Sequence, residues 1–314
     1  MEGPVLSEVA GYHRPVLLRE VIEPLEVKRG SWYLDCTLGD GGHALEILKL
    51  GGNIVGIDVD PQALERAGRR FEKLGIDKSR YKLVRGNFRN LVNLIEKPAS
   101  IAKRGEQTDH RISKFVGAIF DLGVSSLQLE APQRGFSIIR EGPLDMRMDP
   151  DLEVRALDLI NAGGRRELFE LFNRLGEEKN SYAVADALVR ARSVRPIKTT
   201  KQLTELVEKV IGGRTTRIHP ATKIFQALRI AVNDELNALE EGLDQVKDLI
   251  EGNGRILVIS FHSLEDRIVK NTFKKWQSLG LGEILTKKPI RPRKLEIESN
   301  PKSRSAKLRV FKKI

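Results

Sequence analysis

The sequence predicts an α/β fold: a mostly parallel sheet covered by helices, with an all-helical domain inserted into it. Three observations carry that prediction. Short apolar runs rich in β-branched residues end in Gly, Asp or Ser and alternate with amphipathic stretches, which is the rhythm of an α/β sheet. The first run feeds a glycine-rich turn, Thr37 to Gly42. The fourth and fifth runs are separated by 133 residues, Leu122 to Gly254, whereas a βαβ crossover needs only about a dozen.

Strands are predicted near Trp32 to Cys36, Asn53 to Ile57, Tyr81 to Arg85, Phe115 to Phe120 and Arg255 to Phe261. Helical spacing between them falls on His43 to Lys49, Pro61 to Leu74 and Leu91 to Glu96, and the polar stretch Glu96 to Lys114 reads as a solvated loop. The long interval shows helical periodicity in Ala156 to Asn161, Arg165 to Leu175, Ser181 to Arg192 and Thr200 to Val210, broken by glycine pairs at 163–164 and 212–213. Ala221 to Ile250 returns to the sheet as crossover helices with a kink near Asn233. The expected organisation is a discontinuous sheet domain, 1–130 and 219–314, around a helical insert, 131–218.

The chain has 314 residues, 40% hydrophobic and 31% charged, proportions that exclude a collagen, a mostly disordered chain and a disulfide scaffold. Its formal charge is +11, which points to a polyanionic partner. From Lys287 to Ile314 there are eleven Lys or Arg against two Glu, a basic terminus that either solubilises the chain or meets phosphate. Cys36 is the only cysteine, so no intramolecular disulfide forms, in keeping with a reducing compartment. The five histidines lack close ligand spacing, so no metal is expected. The first residues carry Glu2 and Glu8 and no apolar core of signal-peptide length, and no segment approaches a membrane span. A cytoplasmic protein is expected.

Four constellations carry chemistry. In Trp32 to His43, WYLDCTLGDGGH, an apolar strand meets Gly39, Gly41 and Gly42 and then a helix; glycines allow positive φ and close approach, and the helix start offers free N–H groups. A plain strand-to-helix turn has the same spacing. The next strand ends in Asp58, 16 residues after Gly42, placed to accept from ribose hydroxyls, while Asp60 caps the helix that Pro61 begins. Together these indicate an adenosine-containing cofactor. Asp35, four residues before Gly39, would repel a pyrophosphate and welcome an ammonium group.

The third constellation, Asp121 to Gln128, follows the fourth strand, where open α/β sheets bind ligands; its Ser125 and Ser126 fit turn hydrogen bonds as well. Downstream, RGFS at Arg134 to Ser137 and GPLDMRMD at Gly142 to Asp149 carry arginines that could meet phosphate or pair with local acids. The fourth, Ser260 to Arg267, puts His262 at the fifth strand's end, where it could touch substrate or hold a loop.

Taken in order, these segments resemble the bacterial 16S ribosomal RNA cytidine N(4)-methyltransferases, which modify a cytidine in the decoding centre. The similarity spans nearly the whole chain: HRPVLLREV at His13, DCTLGDGGH at Asp35, DLGVSSLQL at Asp121, the two segments from Arg134 to Asp149, GEEK at Gly176, HPATKIFQALRIAVNDEL at His219, SFHSLEDRIVK at Ser260 and NPKSRSAKLR at Asn300. The resemblance implies a Rossmann-like S-adenosylmethionine-dependent methyltransferase sheet with a helical insert that contacts RNA. It places cofactor contacts on Gly41, Gly42, His43, Asp58, Phe88, Asp121 and Gln128, with Phe88 able to stack on adenine or pack in the core.

The expected reaction is attack of the cytosine amine on the sulfonium methyl, with Asp121, a backbone carbonyl or His262 accepting the amine hydrogen. The expected partner is 16S rRNA within the small ribosomal subunit, its phosphates held by the insert and the basic terminus. Two other readings remain open on the residues alone: a nicotinamide-dependent dehydrogenase on the same glycine turn, and a non-catalytic RNA-binding or ribosome-assembly factor.

Overall fold

A computed structural model describes residues 12–96, 114–212 and 219–314. Apart from its two end residues, the loop expected at Glu96 to Lys114 lies outside the described residues, as does His110. The chain divides into two compact units, Met1–Gly123 with Asn237–Ile314, and Val124–Leu236.

The first unit is built on a seven-stranded sheet of order β3-β2-β1-β4-β5-β7-β6. Its strands are β1 (Trp32–Asp35), β2 (Asn53–Asp58), β3 (Tyr81–Arg85), β4 (Phe115–Asp121), β5 (Ile250–Ser260), β6 (Gly282–Ile284) and β7 (Lys307–Lys313). The first five pair in parallel; β7 runs antiparallel to β5 and β6. Six of the seven residues of β4 are buried, as expected of a central strand covered on both faces. Alternation sorts the side chains into two layers. Tyr33, Ile54, Ile119, Leu257 and Leu308 pack on one face with the helices α1 (Leu18–Leu25), α2 (Gly42–Lys49) and α3 (Pro61–Lys73). Leu34, Val55, Phe120, Val258 and Phe311 pack on the other with α4 (Leu91–Glu96) and with Leu239, Val246, Phe273 and Trp276 further along the chain.

The second unit is helical: α5 (Ser126–Glu130), α6 (Ala156–Ala162), α7 (Arg165–Gly176), α8 (Ser181–Val194), α9 (Thr200–Ile211) and α10 (Thr222–Asn233). Phe136, Leu144, Ile160, Phe172, Leu188 and Val207 form its core. The RGFS and GPLDMRMD segments stabilise one another there. Arg134 donates to the carbonyls of Arg147 and Met148, while Arg147 pairs with Asp145. These arginines hold their own loop.

One expectation is met and two change. The crossover helices expected over Ala221 to Ile250, with a kink near Asn233, are α10 and α11 (Glu235–Leu249), parted at Asp234, φ 50°. The unit boundaries fall at 123/124 and 236/237, not at 130/131 and 218/219, because α10 buries Ile224, Phe225 and Leu228 in the helical core while α11 buries Leu239 and Leu243 against the sheet. The basic terminus is not a tail: β7 lies inside the sheet with Leu308, Val310 and Phe311 buried. Its cations are engaged, Lys307 and Arg309 with Asp266, Lys312 with Glu283, and Lys313 with the carbonyls of Lys247 and Ile250. The remaining helices are α12 (Ser263–Ser278) and α13 (Lys294–Ser299), and no helix among the described residues is long and apolar enough to cross a membrane.

Phe311 stacks against Phe273 and Trp276 with centroids 5.3 and 5.2 Å away. Phe311→Ala is therefore expected to lower unfolding stability by about 3–5 kcal/mol, read from the urea midpoint. Deleting 307–314 is expected to abolish the cooperative transition rather than merely to lessen the positive charge.

Candidate active site

Parallel pairing brings the carboxyl ends of β1, β2 and β4 to one edge of the sheet, where β1 and β4 flank the reversal of strand order that receives ligands in open α/β sheets. Asp35, Asp58 and Asp121 occupy those three ends. Between Asp35 and α2 the chain turns through Gly39 and Gly41, φ +52° and +71°. The turn is fixed from several sides. Leu38 N–H donates to the Ile57 carbonyl at 2.9 Å, Gly39 N–H donates to Asp58 Oδ2 at 2.8 Å, and Arg66 of α3 grips Asp40 through two nitrogens. A Cβ on Gly41 would meet the Phe71 ring at 2.7 Å and one on Gly42 would meet Pro15 at 2.9 Å, but one on Gly39 would meet nothing within 4 Å. The outer side of the turn is open.

The three acids are satisfied unequally. Asp58 accepts from the Gly39 and Asp60 amides, yet burial still pushes it up to about 6. Asp35, 2% exposed, accepts from Thr37 N–H at 3.2 Å, and burial, with Asp58 nearby, takes it up to about 7. Asp121 spends its backbone N–H on the Thr37 hydroxyl at 2.6 Å. A quarter of its side chain is exposed, but Oδ1 is buried and has no hydrogen-bond partner among the described residues. Burial, reinforced by Asp35 and Glu265, raises this carboxyl to about 8. His43 lies beside it, Nδ1 3.7 Å from Asp121 Oδ2, with Nε2 against the Val16 carbonyl at 3.0 Å.

Phe88 packs edge-to-face on Phe120, centroids 5.5 Å apart, and lies so close to α11 that a Cβ on Gly242 would meet its ring at 2.7 Å. Its ring therefore already has a packing role. His262 caps α12: Nδ1 accepts from Glu265 N–H at 3.4 Å, and Nε2 lies 3.1 Å from Glu265 Oε1 without hydrogen-bond geometry. Gln128 belongs to the helical unit, where it forms a capping box with Ser125 at the start of α5. The sheet unit thus brings Gly41, Gly42, His43, Asp58, Phe88, Asp121 and His262 to the ends of its strands.

Sequence reasoning missed Val16, Thr37 and Glu265. The Val16 carbonyl and Thr37 hydroxyl had no sequence signal. The His262-x-x-Glu265 spacing, which matches that of a capping box, could have revealed Glu265.

A buried edge with three acids, one oxygen of them unpartnered, beside an open glycine turn suits a ligand that carries positive charge and hydroxyl groups. S-adenosylmethionine has both, and the sheet and its site define a Rossmann-like S-adenosylmethionine-dependent methyltransferase. The MraW methylase family matches residues 10–314, and the chain belongs to that family. It is 42% identical over 303 residues to "Ribosomal RNA small subunit methyltransferase H" of Coprothermobacter proteolyticus, covering 96% of each chain. It is 45% identical over 306 residues to the protein of the same name from Persephonella marina, covering 96% of this chain and 99% of that one. Among solved structures, an rRNA methylase from Streptococcus thermophilus matches 96% of this chain and 99% of its own at 12% identity and a TM-score of 0.44.

The raised acids make stability depend on pH. Between the ordinary carboxylate range and about 8 the folded protein holds protons that the unfolded chain has lost, so their stabilisation is present at low pH and disappears as pH rises through those values. His43, lowered by burial to about 4, acts oppositely, but only below about 6.5. The melting temperature of the unliganded protein is expected to fall between pH 6.5 and 8.5 in a calorimetric series, and Asp121→Asn to flatten that fall.

Proposed function

We propose that this chain transfers a methyl group from S-adenosylmethionine to the N(4) amine of a cytidine in the decoding centre of 16S rRNA, within the small ribosomal subunit. The observation that carries the reaction is the unpartnered Oδ1 of Asp121, an acceptor at the strand edge where the ligand site is expected. The names of the relatives support an rRNA of the small subunit as substrate, and the ordered motifs from His13 to Arg309 support a cytidine amine.

When bound, the cofactor supplies an electrophilic methyl on a positively charged sulfur. Gly41 and Gly42 keep the helix start close to it, and His43 backs Asp121. Asp58 retains lone pairs beyond its amide partners for ribose hydroxyls, and Phe88 presents what remains of its ring to the adenine. Asp121 Oδ1 takes a hydrogen from the amine, which aligns its nitrogen and lets charge leave as the new bond forms. His262 suits that task less well, because Nδ1 already accepts from the Glu265 amide, leaving the ring's hydrogen on Nε2. It acts instead as a positioning residue for the start of α12.

Exposed cations support binding of RNA phosphates in a cytoplasmic setting. Arg195, Lys198 and Lys201 in the helical unit, and Lys287, Lys288 and Arg291 in the sheet unit, are exposed and pair with no acid among the described residues. The cations of β7, already engaged, do not contribute.

Incubation with methyl-labelled S-adenosylmethionine and small subunits lacking the modification, followed by digestion and mass spectrometry, should yield N(4)-methylcytidine at the decoding-centre site. No label with intact cofactor binding would favour a binding-only assembly factor. Asp58→Ala should weaken cofactor binding by about tenfold to a hundredfold, the effect of losing a hydrogen-bonded charge, measured by equilibrium dialysis.

A further inference from the structure

His43 Nε2 faces the Val16 carbonyl at 3.0 Å. A carbonyl only accepts, so Nε2 must carry the hydrogen. Burial keeps the ring neutral near pH 7, and a neutral ring protonated at Nε2 presents a bare lone pair at Nδ1. That lone pair points towards Asp121 Oδ2 at 3.7 Å, just beyond hydrogen-bond length. Opposite an ionised carboxylate it would be repulsive; opposite a protonated carboxyl it is an acceptor.

The other neighbours push the same way. Asp35 at the end of β1 and Glu265 of α12 are the charged groups acting on Asp121, and both are acids. Asp58 of β2 acts on Asp35 in turn. His262 lies against Glu265, and the Thr37 hydroxyl is committed to the Asp121 amide. Within the sheet unit's described residues, none of these groups is a lysine or arginine. Among the described residues of the sheet unit, the charged groups acting on Asp121 are thus acids alone.

We propose that Asp121 holds a proton, directed towards His43 Nδ1, while the site is unliganded, and that a bound sulfonium cation displaces this proton to solvent. The proposal rests on the donor-binding reading above and deepens it. In the step, the carboxyl O–H bond breaks, its electron pair stays on the carboxylate and the proton passes to buffer; nothing is oxidised or reduced. Oδ1 accepts a hydrogen bond in either state, but the charged carboxylate that can take the amine's proton is thereby formed only when the methyl donor is present. The demethylated product has lost the sulfonium charge, so Asp121 regains its proton more readily with that product bound.

Calorimetric titration of the full chain with S-adenosylmethionine at pH 7, in buffers of different ionisation heat, counts the protons released. With burial raising Asp121 to about 8, the carboxyl is mostly protonated at pH 7, so release of the larger part of a proton from it is expected per molecule bound. Asp121→Asn should cut that release to the smaller part that Asp35, raised to about 7, gives up, and Asp35→Asn should retain the part due to Asp121. S-adenosylhomocysteine should release clearly less than S-adenosylmethionine; both carry the same amine, so the difference reports the sulfonium charge. Infrared spectra give a second measure that needs no ligand: a protonated-carboxyl band at pH 7 in the unliganded protein that loses its larger part in Asp121→Asn and keeps the part due to Asp35. Binding without proton release, equal release from Asp121→Asn, or absence of that band would overturn the proposal while leaving the cofactor reading intact. Failure of the unaltered protein to bind S-adenosylmethionine would overturn both.

Discussion

Parallel pairing sends the carboxyl end of each strand to the same edge of a sheet, and here that edge receives Asp35, Asp58 and Asp121 from β1, β2 and β4. Three carboxyl groups so close, in a place largely shielded from water, cannot all be ionised without help. Protons, backbone amides or a cationic ligand must compensate. The sheet can carry this strain because its two packed faces supply the stability: β4 is covered on both sides, and β7 extends the apolar layers past β5. The large core permits a poorly satisfied edge.

Compensation is graded along that edge. Among the described residues Asp58 has the amides of Gly39, Asp60 and Val59, Asp35 has that of Thr37, and the side chain of Asp121 has the distant His43 ring. Asp60, one strand end away, is used wholly for structure as the cap of α3, and Glu265 similarly accepts from the amides of Phe261 and His262. Acids that cap helices acquire amide partners from the local chain and are finished. Asp121 ends a central strand, and although the first turn of α2 brings His43 beside it, its Oδ1 acquires no hydrogen-bond partner among the described residues.

This division decides what could be read from the sequence. Strands β2 and β4 were legible because buried parallel strands are nearly continuous apolar runs, and the acids at their ends were legible because a strand stops where its apolar run stops. Strand β7 was not: in Lys307 to Lys313 four cations surround Leu308, Val310 and Phe311, and the charge count hid the alternation. Its lysines and arginines become compatible with a sheet only because Asp266, Glu283 and two carbonyls, all distant in sequence, meet them. The domain boundary was misplaced for a related reason. Periodicity identifies α10 and α11 as helices with apolar faces, but a face does not say which core it enters. At the site, Asp58 and Asp121 could be named from position alone, whereas the tautomer of His43 depends on the carbonyl of Val16, 27 residues earlier, which no local pattern encodes.

The glycines show how far a ligand motif and a packing motif can be the same residues. Gly41 and Gly42 read in the sequence as room for a ligand, yet their missing side chains accommodate Phe71 and Pro15, on the protein's own side of the turn. Gly56 in β2 does the same for Leu38. Only Gly39, at φ +52° with nothing within 4 Å of a would-be Cβ, leaves its space to the outside, and its amide is the one that Asp58 holds. Pressing the turn inward against α3 and Pro15 is what keeps its outer face clear and its helix start exposed. The ligand-facing geometry is thus a consequence of close packing behind it, and the motif persists as a unit because neither function can be satisfied by changing one glycine without disturbing the other.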